Sequence, residues 1–579
     1  MHKSPFVHKL SAAFKFALVA FTLAAYGNGT GNNAGTVSYS GPGNGLLHAV
    51  NHESYGIPPG INAGQLGIYD TIITAPRRAP APIIDTFPSL HITSYYDPFV
   101  QVREFWHDGT LTLTGAPDIF NFEEVDIRIR GRGNSTWIVG PDKRPLRIRF
   151  RTPQPLMSYY EARDWVLLAN HFDRSLMRNY SAFYLGNMLS GLYFTPVPRH
   201  VHLYVNGEYM GVYLVTDERN TGPGRLQLAW HEDPAKSCFF LELDVRAPET
   251  GILDETFITV QGLHYDLRYP NDLEPGHVEY VRAYLTAVSS AIRSRDFDEV
   301  LTLIDLASFV DFYIVQEFFK DIDARDLSTF MYITGTGESR RLFMGPIWDF
   351  DLAAGNARNQ PLGYGPRGLY VAAYGTWTGN IWFANLMQIP EFFDAVKTRW
   401  NEIRYREIAQ TIERIRTVTQ THQHEFERNF ERHPDVMGRE QMPTPQGILE
   451  IDYFMGHVEH LTDWLETRAN WLDDFLNGRL PPYDHMMVWL EYQISRPPIS
   501  LKINGEAQRL NFPLITAENH AMILRGELEA IFGIHYDLPP ELLIVRNYTF
   551  VPLRQFAVAH GYDISWDQGA RAVIINFER

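Results

Sequence analysis

The stretch His202-Leu203-Tyr204-Val205-Asn206-Gly207-Glu208-Tyr209-Met210-Gly211-Val212-Tyr213-Leu214 decides how the first half of this chain folds. Two runs rich in aromatic and β-branched residues flank Asn206-Gly207. An Asn-Gly pair accepts the positive φ angles that a two-residue turn between antiparallel strands requires, so the spacing predicts a hairpin. Upstream, Leu111-Thr112-Leu113-Thr114, Val125-Asp126-Ile127-Arg128-Ile129 and Leu146-Arg147-Ile148-Arg149-Phe150 alternate with period two, as strands covered on one face do. Trp165-Val166-Leu167-Leu168-Ala169 is apolar throughout and reads as a buried segment. After Asp272 the period becomes helical. Helices are predicted from His277 to Ile292, from Leu306 to Phe319, and within 380–430 and 450–477. Strands followed by helices make an α+β domain with a β-rich N-terminal half and a helical C-terminal half.

Beyond Pro497-Pro498 a small α/β module is expected. Ile499-Ser500-Leu501-Lys502-Ile503-Asn504-Gly505 reads as strand then turn, and Phe550-Val551-Pro552-Leu553-Arg554 and Ile564-Ser565-Trp566-Asp567 close it. At the other end, Lys3, His8, Lys9 and Lys15 precede the apolar stretch Phe16 to Ala25, which has the length of a signal-peptide core and is too short to span a bilayer. Residues 1–26 are therefore expected to be a signal peptide, and the protein secreted or associated with the cell surface. Tyr26 stands where a lipoprotein would carry its lipidated cysteine. Residues 27–88, rich in Gly and Asn and later in Pro, read as a flexible linker.

At 579 residues the chain is long enough for two to four domains, and its 45% hydrophobic and 21% charged content is ordinary for a globular protein. Net charge is −17, from 51 basic and 68 acidic side chains. That balance argues against a nucleic-acid partner, which needs a basic face. The lone cysteine, Cys238, excludes a disulfide framework, and no later stretch is apolar enough for a transmembrane helix.

Three stretches could carry chemistry. Arg130-Gly131-Arg132-Gly133-Asn134-Ser135-Thr136-Trp137, with Lys143 and Arg144 downstream, could bring backbone N–H groups close to an anion; a plain hairpin turn is the simpler reading. Phe318-Phe319-Lys320-Asp321-Ile322-Asp323-Ala324-Arg325-Asp326-Leu327-Ser328 ends an apolar helix in acids, where the helix dipole disfavours them, so a cation should offset them. Leu342 to Asp351 reads as a buried strand delivering Asp349 and Asp351 two residues apart, on one face if the strand continues; a strand-ending turn with capping aspartates is the alternative reading. Oxygen-only ligands suit Mg²⁺ or Mn²⁺. In protein kinases a catalytic Asp is followed five positions later by a metal-binding Asn, with an Asp-Phe metal site further on. Here Asp323 is followed at that interval by Ser328, and Asp349-Phe350 lies downstream.

These stretches resemble the CotH kinase family of atypical kinases. The resemblance runs from about 90 to 480 and rests on Arg-Gly-Asn-Ser-Thr-Trp at 132–137, Lys143-Arg144-Pro145-Leu146-Arg147-Ile148-Arg149, Leu167-Leu168-Ala169-Asn170, Asp173 with Arg178-Asn179, Gly211-Val212-Tyr213 with Glu218, and Gly345-Pro346-Ile347-Trp348-Asp349-Phe350-Asp351 with Gly355-Asn356. It implies an atypical protein-kinase-like domain over 89–480 that binds ATP with Mg²⁺ or Mn²⁺ and transfers the γ-phosphoryl group to Ser/Thr of a protein phosphoacceptor. By position Asp323 would be catalytic, Asp349, Asp351 and Ser328 would hold metal, and Asn134, Ser135, Lys143, Arg149 and Glu218 would bind the nucleotide. Two positions depart from the family pattern: Ser328 replaces Asn, and Asp321 stands where Asn is common. The alternative is a catalytically weak or inactive kinase-like protein that binds a cell-surface component. Residues 497–579 are similar to the small module named after the copper amine oxidase N-terminal domain, through Ile503-Asn504-Gly505, Phe550-Val551-Pro552-Leu553-Arg554 and Gly561 to Asp567.

Overall fold

A computed structural model describes residues 85–96, 103–133, 135–140, 143–245, 257–271, 273–357, 364–372, 382–438, 444–479, 499–510, 514–517, 520–532, 543–545 and 548–577. The proposed signal peptide and most of the linker lie outside them, as do Asn134 and the stretch between 480 and 498.

The period-two segments build a closed barrel. Its strands are β1 (Ser89–Ser94), β2 (His107–Thr114), β3 (Phe122–Gly131), β4 (Leu146–Gln154), β5 (Ala162–Leu168), β6 (Arg199–Val205) and β7 (Glu208–Asp217), in the order β1-β2-β3-β4-β5-β7-β6. A parallel β1–β6 pairing closes it. Alternation fills the interior: Leu90, Ile92, Leu111, Leu113, Ile127 and Ile129 are all buried there. The hairpin expected at Asn206-Gly207 joins β6 to β7, with φ of 49° and 84° at the two turn residues. Asn206 also pins the turn to β1, since its Oδ1 accepts from Ser94 N at 2.8 Å and its N donates to Ile92 O at 2.8 Å.

β5 and β7 are buried on both faces, as the apolar run Trp165–Ala169 requires. Trp165 and Leu167 point into the barrel, whereas Val166 and Leu168 join the core of the helical body. That body contains a five-stranded sheet of β8 (Phe239–Leu243), β9 (Phe257–Val260), β10 (Leu263–Tyr269), β11 (Thr329–Thr334) and β12 (Arg341–Met344), ordered β12-β11-β8-β10-β9. The short helix α1 (Ser135–Val139) packs Trp137 on the barrel core, whereas the helices of the body include α2 (Arg178–Met188), α3 (Pro275–Ser294), α4 (Phe297–Leu303), α5 (Leu306–Phe319), α6 (Pro390–Ile403), α7 (Ala409–Thr421), α8 (Gln423–Arg432) and α9 (Phe454–Leu476). The α+β class is therefore as expected, and α5 spans the residues its periodicity predicts. Asp305 caps α5 by accepting from Ser308 N at 2.8 Å.

The C-terminal segment forms two four-stranded sheets, one of β13 (Ser500–Ile503), β14 (Glu506–Gln508), β19 (Asp563–Asp567) and β20 (Ala572–Asn576), the other of β15 (Ile515–Ala517), β16 (His520–Leu524), β17 (Leu543–Val545) and β18 (Tyr548–Pro552). Leu501, Ile523, Leu528, Val551, Phe556 and Ile575 gather into a core between them. No described helix is long and apolar enough to cross a membrane. Cys238 is a free, buried thiol 3.3 Å from Thr334 Oγ1.

Of the two readings of residues 342–351, the strand-ending turn is the one that forms. β12 ends at Met344, because Pro346 has no N–H with which to extend the ladder. Asp349 then takes a left-handed conformation (φ 70°, ψ 47°) and opens a 3₁₀ turn over Phe350–Leu352. Asp349 and Asp351 do not sit on one strand face; a turn brings them together instead.

Candidate functional site

The acids of two segments meet where α5 ends. Lys320 terminates that helix in a left-handed conformation and turns its side chain inward, where Nζ donates to Gly365 O at 2.8 Å and to Arg367 O. The neighbouring lysine thus anchors a loop and does not offset the acids. The chain turns tightly, with Asp323 N donating to Asp321 Oδ1 at 3.2 Å. Asp321 is 1% exposed and its Oδ2 makes no hydrogen bond. Burial, then the charges of Asp323, Asp349 and Asp351, hold its carboxyl well above the usual carboxylate range. Burial raises Asp351 in the same sense, followed by Asp349, Asp323 and Asp173. Four carboxylates from two distant segments therefore share one electrostatic field. Ser328 faces it, donating from Oγ to Asp349 Oδ2 at 3.3 Å.

A buried network fixes the Asp349–Asp351 turn from beneath. Asp173, fully buried, accepts from Arg178 Nη1 at 2.6 Å, Ser175 Oγ at 2.6 Å and Arg178 N at 2.8 Å. Arg178 in turn donates from Nε to Ala353 O at 3.0 Å and from Nη2 to Ala354 O at 3.3 Å. Phe350 N donates to Asn179 Oδ1 at 2.8 Å, and Asn356 Nδ2 to Asp351 O at 2.7 Å. Two charges buried this deeply persist because each is hydrogen-bonded as well as paired.

A basic group adjoins the acids. Arg219 lies over the Trp348 ring at 4.7 Å and Arg132 over it at 5.4 Å. Burial, then Arg219, lowers Arg132 to about 10, while Glu218 and Asp349 act to keep it charged. Glu218 lies 3.3 Å from Arg147 and 3.6 Å from Arg219. Burial opposes its ionisation, but Arg147, Arg219, Arg132 and Arg225 outweigh it and hold the carboxyl down to about 2. Gly131 is required beside Arg132, because a Cβ there would meet the Trp137 ring at 2.1 Å.

The other expected nucleotide-binding residues are placed differently. Lys143 is buried, its Nζ makes no hydrogen bond, and burial lowers it to about 7 despite Asp173 nearby. Arg149 points to the outer barrel face, bound to Asp164 at 2.8 Å. Ser135 is exposed at the start of the five-residue α1. Asn134 lies outside the described residues. Arg132 and Arg219, which the sequence reading did not single out, are the cations beside the acids. Arg132 could have been found as the first residue of the Arg-Gly-Asn-Ser-Thr-Trp run.

Among the described residues no three His, Cys, Asp or Glu groups are gathered into a set ready to hold a metal ion. The donor chemistry nonetheless fits a hard divalent cation: only carboxylate and hydroxyl oxygens, mutual repulsion, and one buried oxygen without a partner.

Fold and site together define an α+β protein whose acid cluster and arginine–tryptophan group lie where a β-barrel meets a helical body. Residues 127–472 match the family described as CotH kinase protein, and the chain belongs to it. No curated protein matches the chain.

Proposed function

We propose that the chain is an exported protein kinase that transfers the γ-phosphoryl group of ATP to a protein Ser/Thr hydroxyl. The observation that carries this is the meeting of Asp323 with Asp349 and Asp351, from segments on either side of β11 and β12, beside a cation in electrostatic reach of Asp349. Asp323 orients the acceptor hydroxyl and takes its proton as the oxygen bonds to the γ-phosphorus. The bond to the β–γ bridging oxygen breaks and ADP leaves. Arg132 and Arg219, both held on the buried Trp348 ring, face the negative charge of the phosphates. Asp349, Asp351 and Ser328 would hold Mg²⁺ or Mn²⁺, which when bound neutralises phosphate charge.

The test is transfer of label from γ-labelled ATP by purified protein with Mg²⁺ or Mn²⁺. Asp323→Ala should lose roughly 100-fold or more of the rate, as removal of a positioned proton acceptor does. Asp349→Ala should lose metal-dependent nucleotide binding as well. Transfer unchanged in both variants would sink the assignment.

Ser328 favours a second reading, a kinase-like surface-binding protein with little catalysis, because a neutral hydroxyl is a weak magnesium ligand. Nucleotide binding without transfer would support it. Export rests on residues 1–26, and finding the protein only in the cytoplasm would remove it. For residues 497–579 the resemblance supports a surface-attachment role.

A further inference from the structure

The outer face of β3 and β4 carries an arrangement that the transfer chemistry does not use. In the register of these strands Arg128 lies opposite Arg149 and Arg130 opposite Arg147. Like charges directly opposite on adjacent strands are destabilising. All four guanidiniums gather on one ring, Trp106, at 5.6, 4.8, 4.9 and 5.9 Å for Arg128, Arg149, Arg130 and Arg147. Acids reach both rows, but only three, Asp108, Asp164 and Glu218, serve the four arginines. Asp108 is 3.8 Å from Arg128, and Asp164 is 2.8 Å from Arg149. In the other row Arg147 is shared between Asp164 at 3.1 Å and Glu218 at 3.3 Å. Arg130 has a buried Nε with no hydrogen-bond partner. In a chain of net charge −17, this surface sets four arginines against three acids.

The chemistry of the patch narrows the anion. Guanidinium forks bind phosphate and carboxylate oxygens in pairs, and several arginines around one point suit a phosphate dianion. The Trp106 ring is already covered by cations, so it is not a free platform for a nucleobase. Phe105 precedes Trp106 in the chain, Tyr96 lies 5.0 Å from the His107 ring and Tyr95 N donates to Asp108 O; Tyr95, Tyr96 and Phe105 are 66%, 61% and 64% exposed, the aromatic-plus-arginine composition of a polypeptide-binding surface. The patch is joined to the candidate active site through Arg147 and Glu218.

We propose that this face docks a phosphorylated segment of polypeptide, with a phosphoserine or phosphothreonine seated over Arg130. It rests on the kinase reading only for the source of the phosphate: a substrate already modified once would be held near the site for further transfer.

The test uses the full chain carrying Asp323→Ala, so that no turnover occurs and binding is measured apart from catalysis. A fluorescent peptide with two phosphoserines is titrated by anisotropy beside the same peptide without phosphate, and nucleotide binding is measured separately. The phosphopeptide should bind about tenfold or more tighter than its unmodified form. Arg128→Gln/Arg130→Gln should abolish that preference while nucleotide affinity stays unchanged. Equal binding of the two peptides to the unsubstituted patch overturns the proposal, and needs no patch variant to fold. Displacement of the phosphopeptide by inorganic phosphate at equal concentration, or loss of nucleotide affinity in the arginine variant, also overturns it and reassigns the patch to a free anion or to the nucleotide. Failure of the kinase reading would show instead as absent label transfer with phosphopeptide binding intact.

Discussion

At the scale of single residues, Ser328 is the position where chemistry and backbone point the same way. Its φ is 47°, in the left-handed region that Asn tolerates better than most side chains. Its hydroxyl already touches Asp349. Ser328→Asn should therefore fold without strain and place an amide oxygen beside that carboxylate. If Asp349 holds metal, the variant should need several-fold less Mg²⁺ or Mn²⁺ for half-maximal nucleotide binding, read by calorimetry; an unchanged metal requirement would remove Ser328 from the site. Lys143 gives a prediction in pH. Its folded value of about 7 lies below the 10.5 of the free side chain, so the unfolded chain binds the extra proton between those values. Stability should then rise as pH rises through that window, by up to about 1.4 kcal/mol per pH unit from this group. Lys143→Met should flatten the rise, and thermal unfolding of both proteins at pH 7 and pH 9 measures the difference. The acids of the site were legible as a cluster, since Asp321, Asp323, Asp349 and Asp351 stand out against apolar neighbours. Their geometry was not, because a left-handed residue after a proline converts a strand face into a turn. The arginines part ways for a related reason. Strand alternation sends Arg149 to the outer barrel face, whereas Arg132, just past the end of β3, is free of that alternation and turns toward Trp348.

At the scale of elements, the helix that delivers Asp323 is held by a charge pair that no local pattern announces. Arg468 on α9 is fully buried and bonds Glu317 Oε1 at 2.7 Å and the carbonyls of Pro366 and Gly368 at 3.0 and 2.6 Å. Glu317, near the end of α5, also accepts from the backbone N–H groups of Tyr370, Val371 and Ala372 at 2.7, 2.9 and 3.0 Å. Tyr370 closes the brace by donating to Ile322 O at 2.8 Å. Helical periodicity placed α5 and α9 correctly, but a buried Glu and a buried Arg 151 residues apart carry no joint signal in one sequence. Breaking such a pair from one side leaves a bare buried charge. Arg468→Met should destabilise the protein by about 3–5 kcal/mol, visible in the denaturation midpoint, while Glu317→Gln/Arg468→Met should recover part of the loss. A double variant no better than the single one would mean that the backbone contacts, not the charges, hold the loop.

At the scale of the whole molecule, the wall of β5 and β7 determines whether barrel and helical body behave as one unit. A strand buried on both faces belongs to two cores at once: Leu167 and Tyr213 to the barrel, Val166 and Val212 to the helical body. The site depends on the same wall, because Arg132 and Glu218 extend from barrel strands whereas Asp323 and Asp349 come from the helical body. The alternation of each strand made the barrel's inner residues readable. The closing β1–β6 pairing and the insertion of β8 between β10 and β11 join residues far apart in the chain, and hydrophobic pattern alone does not encode which edges meet. If the shared wall couples the halves, Trp165→Ala in the barrel core and Phe318→Ala in the helical core should lower the same calorimetric transition. Each should cost about 3–5 kcal/mol, the usual loss when a large aromatic side chain is removed from a packed core. A barrel transition that moves with Trp165→Ala while a separate helical transition stays in place would show two independent units. The acids and the arginines would then be brought together only when something bridges them, and a nucleotide analogue should merge the two transitions into one.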